Sequence, residues 1–171
     1  MALHIPLVPH PSHPPHMVER VEVSADIRHG PSVLAYRVTG GMPKLPAPAP
    51  PERTDGLWRH TCFELFVRPA GGEGYFEYNF SPSTQWAAYR FDGYREGMRD
   101  QPLAAPLIEP LADGIRVRVD LGGLPAGVWQ VAVTAVIEEA DGAKSYWSVA
   151  HAPGAPDFHA PGGFAIEVPA G

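Results

Sequence analysis

The sequence holds a single cysteine, Cys62, in 171 residues. One cysteine excludes an internal disulfide framework and fits a reducing compartment. No apolar run is long enough to cross a membrane as a helix. No basic block is present and the formal net charge is −6, so the electrostatic footprint of a nucleic-acid binder is missing. The opening residues, MALHIPLVPHPSHPPHM, are broken by prolines and lack a basic start ahead of an apolar segment, unlike a secretory leader. The expected location is therefore cytoplasmic. There is no G-x-S-x-G, no glycine-rich phosphate loop and no dinucleotide fingerprint, so nothing in the sequence demands an enzyme.

Proline and glycine are abundant, with 21 and 18 residues. They cluster between apolar runs, which points to a loop-rich all-β chain rather than to disorder. The central stretch, residues 57–95, reads as three successive strands, HTCFELFV, GYFEYNF and TQWAAYRF. Side chains alternate faces along a strand. Phe63, Leu65, Val67, Phe76, Tyr78 and Phe80 then form an apolar face. His60, Cys62, Glu64, Tyr75, Glu77 and Asn79 occupy the other. Buried polar groups need partners, which here could be each other, water or a ligand.

Around this centre, residues 18–27, 32–39, 114–121, 129–138, 145–150 and 164–168 also read as strands. Residues 1–16 read as an extended Pro/His-rich arm, in which polyproline spacing would stack His10, His13 and His16 on one edge. Residues 17–171 form one β-sandwich domain in this reading. About nine strands, few helices and no repeat predict an antiparallel β-sandwich of the jelly-roll type.

Three constellations could carry chemistry. The first is aromatic. Rings at the mouth of a sandwich stack on sugars, and Trp58 (after a loop) and Trp147 (before one) are the best placed. Alternation also puts Trp147 on the face of Val149, as a core residue would be. The second is His60-x-Cys62, which with His151 and His159 could hold zinc. Its alternative is a buried thiol beside a hydrogen-bonded histidine. The third is the loop HAPGAPDFH, where Asp157 and His159 could form an acid–base couple. Glu64 and Glu77 could serve a small hydrolase or isomerase as paired carboxylates, or bind hydroxyls or arginines.

The stretches LWRHTCFELFVRP, YFEYNFSPSTQWAAYRFDGYR, AVIEEADGAKSYWSVAH and PDFHAPGGFAIEV resemble the bacterial DOMON-like proteins related to family-9 carbohydrate-binding modules. The likeness spans about residues 53–168. It implies a jelly-roll sandwich that binds sugar or, in other branches, haem. In the sugar-binding branch two tryptophans sandwich the ligand; Trp147 matches one by motif position, and Trp58 is taken for the other. In the haem branch Met, His or Lys supply axial ligands, for which Met98 and His151 are available. The aspartate cluster of calcium-binding relatives is not evident.

The sequence thus predicts a non-catalytic domain for a carbohydrate or related polar small molecule, with no cofactor. Trp58 and Trp147 would stack on the ligand. Glu64, Glu77, Asn79, Arg90 and Arg95 would bond its hydroxyls, and His60, His151, Asp157 and His159 would line the rim. A haem- or metal-binding module using His60, Cys62, His151 and His159 is the alternative, and a hydrolase or isomerase the third reading. Neither a nucleic acid nor a membrane is an expected partner, and the oligomeric state stays open.

Overall fold

A computed structural model describes residues 2–171. Thirteen strands follow in order: β1 (Leu3–Pro6), β2 (Val8–Pro9), β3 (Arg20–Asp26), β4 (Pro31–Thr39), β5 (Cys62–Pro69), β6 (Tyr75–Phe80), β7 (Trp86–Phe91), β8 (Arg99–Asp100), β9 (Leu107–Leu111), β10 (Gly114–Asp120), β11 (Trp129–Glu138), β12 (Lys144–Ser148) and β13 (Ile166–Val168). Two short 3-10 turns, Leu57–Arg59 and Pro161–Gly163, are the only helical pieces among the described residues. No helix there is long and apolar enough to cross a membrane.

The strands form an antiparallel β-sandwich. The smaller sheet runs β1-β3-β4-β10-β9; the larger runs β2-β12-β11-β5-β6-β7-β8, with β13 also paired to β11. Strand β4 pairs with β10, and β5 with β11, so the two halves of the chain are zipped together in both sheets. That is the jelly-roll arrangement. The core lies between the inner faces, where Val23, Leu34, Tyr36 and Val117 meet Phe63, Leu65, Phe80, Val133 and Trp129. Tyr36 enters this core because its hydroxyl donates to Glu64 O at 2.8 Å, so no polar atom of the ring is stranded.

Trp147 belongs to the same core, 2% exposed. This corrects the stacking role expected for it. Alternation places Trp147 on the inner face with Ala135 opposite, and its indole N–H donates to Ser145 Oγ at 2.8 Å. Tyr146, one residue away, takes the outer face.

Of the expected N-terminal arm, residues 3–6 and 8–9 are built into the sheets, while residues 11–14 are exposed. Strand β1 pairs with β3 in one sheet and β2 with β12 in the other, and Ile5 and Leu7 are buried. Of the three histidines, His10 and His13 meet edge-on with ring centroids 6.4 Å apart, and His16 stands apart from them. The buried His10 ring donates from Nε2 to Gly154 O (2.8 Å), whereas His16 donates from Nδ1 to Asp141 (2.6 Å). The next turn is latched by the buried Glu139, whose carboxylate accepts from the N–H groups of His16 (2.7 Å), Met17 (2.6 Å) and Val18 (3.1 Å). Glu139→Ala strands these donors, at about 1–3 kcal/mol for each that water cannot reach. Hydrogen exchange should show faster opening at residues 16–18 and in β1 than in the central strands. Unchanged protection there would refute the latch.

Candidate functional site

The outer face of the larger sheet is built by alternation. Strand β5 contributes Cys62, Glu64 and Phe66, and β6 contributes Tyr75, Glu77 and Asn79 in antiparallel register with them. A second apolar cluster sits here, including Phe66, Tyr75, Tyr89, Phe91 and Phe164, with Leu57 and Phe158 packed against it. The polar face expected from the sequence is therefore a mixed face, roofed by loops.

Between face and loops lies a cavity of about 380 Å³, within the range of small-molecule sites. The sheet supplies Glu64, Phe66, Glu77, Phe91, Val136 and Tyr146. Trp58 enters from the first 3-10 turn. Arg95 and Met98 come from the loop after β7, and Pro156, Phe158 and His159 from the loop after β12. Trp58 is 39% exposed and meets Tyr89 edge-on, with ring centroids 6.4 Å apart. The Tyr89 hydroxyl donates to Asp55 at 2.5 Å.

The two carboxylates are nearly dry, Glu64 at 2% and Glu77 at 4% exposure. Thr134 Oγ1 donates to Glu64 Oε2 at 3.0 Å. Burial, then the neighbouring Glu77 charge, push the Glu64 carboxyl well above the usual carboxylate range, against the Thr134 bond that lowers it. Glu77 Oε1 lies 3.1 Å from His159 Nε2. His159 Nδ1 lies 2.7 Å from the Tyr75 hydroxyl, which accepts the Arg95 N–H at 3.1 Å. One set of protons satisfies this line: Tyr75 donates to His159 Nδ1, and His159 donates from Nε2 to Glu77. Burial raises the Tyr75 phenol further, which keeps it a donor. Asn79 is fully buried, and neither its amide nitrogen nor its oxygen has a partner among the described residues. It stands opposite Glu64 in the register.

Arg95 adopts a left-handed backbone (φ 54°), strained for a side-chain-bearing residue. Its N–H bond to Tyr75 and its ion pair with Asp157 (2.8 Å) hold it there. Asp157 also accepts from the Tyr94 hydroxyl and from the His159 N–H. Burial raises the Asp157 carboxyl, but the bonds from Tyr94 and Arg95 outweigh it and its pKa is lowered.

Of the residues expected at the site, Trp58, Glu64, Glu77, Arg95 and His159 line the cavity. Asp157 stands behind Arg95 as its clamp. His60 precedes β5 rather than belonging to it, and its ring turns to Glu138 (3.4 Å). Arg90 is exposed and shares the side of Trp86 and Ala88, opposite the cavity. His151 donates from Nε2 to Val8 O at 2.7 Å and lies outside the cavity. The proposed haem pair is thus split, since Met98 lines the cavity and His151 does not. Among the described residues no three His, Cys, Asp or Glu side chains gather as metal ligands. The set His60, Cys62, His151 and His159 is dispersed over separate partners. Burial, then Glu64 and Glu77, hold the Cys62 thiol far above its usual range, so it stays protonated and behaves as a small apolar group.

Sequence reasoning overlooked Phe66, Phe91, Val136, Tyr146 and Phe158. For Tyr146 the signal was present: if Trp147 faces the core, its neighbour faces out. For Phe158 there was none, because a loop residue's direction is set by the fold.

No protein-family model matches the chain, and no curated protein does. Among solved structures, one named a "putative carbohydrate-binding protein", from Bacteroides uniformis, shares the fold with a TM-score of 0.67 at 14% identity, over 96% of this chain and 84% of that one. Two structures of a family-9 carbohydrate-binding module from Caldicellulosiruptor kristjanssonii are more distant. The complex with glucose gives a TM-score of 0.45 at 10% identity, over 79% of this chain and 69% of that one. The complex with cellotriose gives 0.46 at 10% identity, over 82% and 72%. The likeness to the Bacteroides uniformis structure shows the fold alone, a β-sandwich.

Proposed function

We propose that the cavity binds a carbohydrate or a related polar small molecule without transforming it, and that the chain is a DOMON-like relative of the family-9 modules. The observation that supports this is the pairing of aromatic walls with spare acceptors. Trp58, Phe91, Tyr146 and Phe158 line the cavity beside Glu64 and Glu77. One oxygen of each carboxylate has no protein donor among the described residues. A sugar presents a C–H face to rings and a hydroxyl edge to acceptors. Trp58 and Tyr146 would stack, while Glu64, Glu77, Arg95 and His159 would bond hydroxyls. The Bacteroides uniformis protein is named for the same ligand class.

Trp58→Ala tests the stacking. Trp58 is half-exposed, so melting should barely move, within about 0.5 kcal/mol as for most surface changes. Affinity for whichever sugar binds the wild type should fall by roughly tenfold or more, as for an aromatic hot spot. Titration calorimetry over a panel of mono- and oligosaccharides measures it. Unchanged affinity would remove Trp58 from the site.

The line Tyr75–His159–Glu77 favours one second reading, an acid–base enzyme on the same cavity. In that case the panel sugars would change structure in the presence of protein, which proton NMR over hours would detect. Binding without change supports the first reading.

A further inference from the structure

We propose that the cavity selects ligands carrying a protonated amine beside their hydroxyls, such as amino sugars, and that Glu64 is the amine's counter-charge. The inference rests on reading the cavity as a small-molecule site, and adds which small molecules it prefers.

Around the cavity Glu64 is the carboxylate left without a basic side chain beside it among the described residues. Arg95, the lining arginine, is held by Asp157 at 2.8 Å. His159, the lining histidine, faces Glu77 at 3.1 Å. Arg68 and the cations around Glu138 are engaged elsewhere. Arg68 donates to Gln130 (2.6 and 3.1 Å) and lies over the Phe164 ring. Lys44, Lys144 and His60 converge on Glu138 at 3.7, 3.9 and 3.4 Å. Among the described residues Glu64 has only the neutral Thr134 hydroxyl. A dry carboxylate without a cation is costly, and Glu77 on the next strand adds repulsion.

Asn79 is the second, independent observation. It projects from the same face, opposite Glu64, behind the cavity's lining rather than in it, with both amide atoms unpartnered among the described residues. Buried polar atoms are nearly always paired, so the ground beside Glu64 keeps hydrogen-bonding capacity that the protein does not fill. An ammonium brings three donors and no acceptor. It gives Glu64 a full counter-charge as well as donors, which a neutral hydroxyl cannot. The walls agree, because Trp58, Tyr146 and Phe158 present ring electrons that attract cations. A neutral sugar supplies hydrogen bonds but no charge to hold Glu64 ionised. An anionic ligand would face two carboxylates.

The test is calorimetry on the full chain at neutral pH with three matched sets. These are glucose, galactose and mannose, each with its 2-amino and 2-acetamido counterpart. The expected result is at least one 2-amino sugar binding about tenfold or more tighter than both its partners, the scale of a desolvated charge contact. Glu64→Gln, which keeps the shape and can still accept from Thr134, should bring that amino sugar to parity with the neutral one. A thermal melt of the variant verifies that it is folded. Equal or tighter binding of neutral sugars would overturn the inference and leave the carbohydrate reading standing. Binding of none of the nine would overturn both. An amine preference that survives Glu64→Gln would overturn the assignment to Glu64.

Discussion

Trp147→Ala is expected to destabilise the domain by roughly 3–5 kcal/mol, the usual result of truncating a large buried ring to a methyl. The ring sits in the core between the two sheets, with Ala135 of β11 opposite it. Its loss opens a void that the strands cannot close, because β12 is pinned between β11 and β2 by register. Ser145 would lose the indole N–H that it accepts at 2.8 Å, inside a fully buried setting, which adds to the loss. Against a total stability of about 5–15 kcal/mol for a typical domain, the variant should melt far below the wild type. Trp147→Phe keeps much of the volume and should recover part of the loss. Trp58→Ala, on the other side of the sheet, should leave melting almost untouched. A near-wild-type denaturation midpoint for Trp147→Ala would show that the ring is not core and would reopen a ligand role for it.

The fold was legible where strands alternate cleanly. Residues 114–121 and 129–138 were read from pattern alone, and they became β10 and β11. The strands that pattern overlooked are β1, β2, β8 and β9, and these are the four sheet edges. An edge strand pairs on one side only, so it can be short and can carry proline. Pro6, Pro9 and Pro110 lie within three of the four. The rule that proline excludes a sheet therefore failed where it is weakest.

The site was legible by halves. Glu64 and Glu77 follow from strand parity once Phe63 and Phe76 are taken as core. The register that sets Asn79 against Glu64 depends on how β5 meets β6, which is set by the Pro69–Gly74 turn and not by either strand. His159 and Phe158 reach the cavity from a loop that leaves β12, so their place depends on pairings across most of the chain. Trp147 and Tyr146 show the sharpest ambiguity. In a strand of five residues, a shift of one exchanges core and surface, and aromatic character alone does not decide between them. What does decide is the partner strand, since Ala135 opposite Trp147 leaves room in the core and Val136 lies opposite Tyr146 on the cavity side.

Glu64 also gives the fold a pH dependence of unusual sign. Most acidic groups in a folded protein are held low and lend stability as pH rises out of the acid range. Burial and the Glu77 charge hold Glu64 high instead. In the unfolded chain its carboxyl titrates near the ordinary value of about 4.3. Above that pH the unfolded state has lost a proton that the folded state keeps. The unfolded state then binds fewer protons, so stability falls as pH rises, by up to about 1.4 kcal/mol per pH unit, until the folded carboxyl titrates. The step belongs to the Glu64–Glu77 pair rather than to one residue. Other groups overlap it. His151 is held low by burial, so its neutral form adds stability as pH rises towards 6.5, opposing Glu64. His16 is raised by its hydrogen bond to Asp141 and acts with Glu64. Asp157, held low, acts only near and below the ordinary aspartate range. These groups are common to the wild type and Glu64→Gln, so the difference between their stability curves isolates the carboxyl. Near pH 4 the two proteins should be close to equal in stability. Towards neutral pH the variant should gain steadily, and with it the melting temperature. Denaturant unfolding of both proteins at half-unit steps from pH 4 to pH 8 measures the difference. A difference that stays flat over that range would mean that Glu64 ionises in the fold as easily as in water, and would remove the dry, unmatched carboxylate on which amine selection depends.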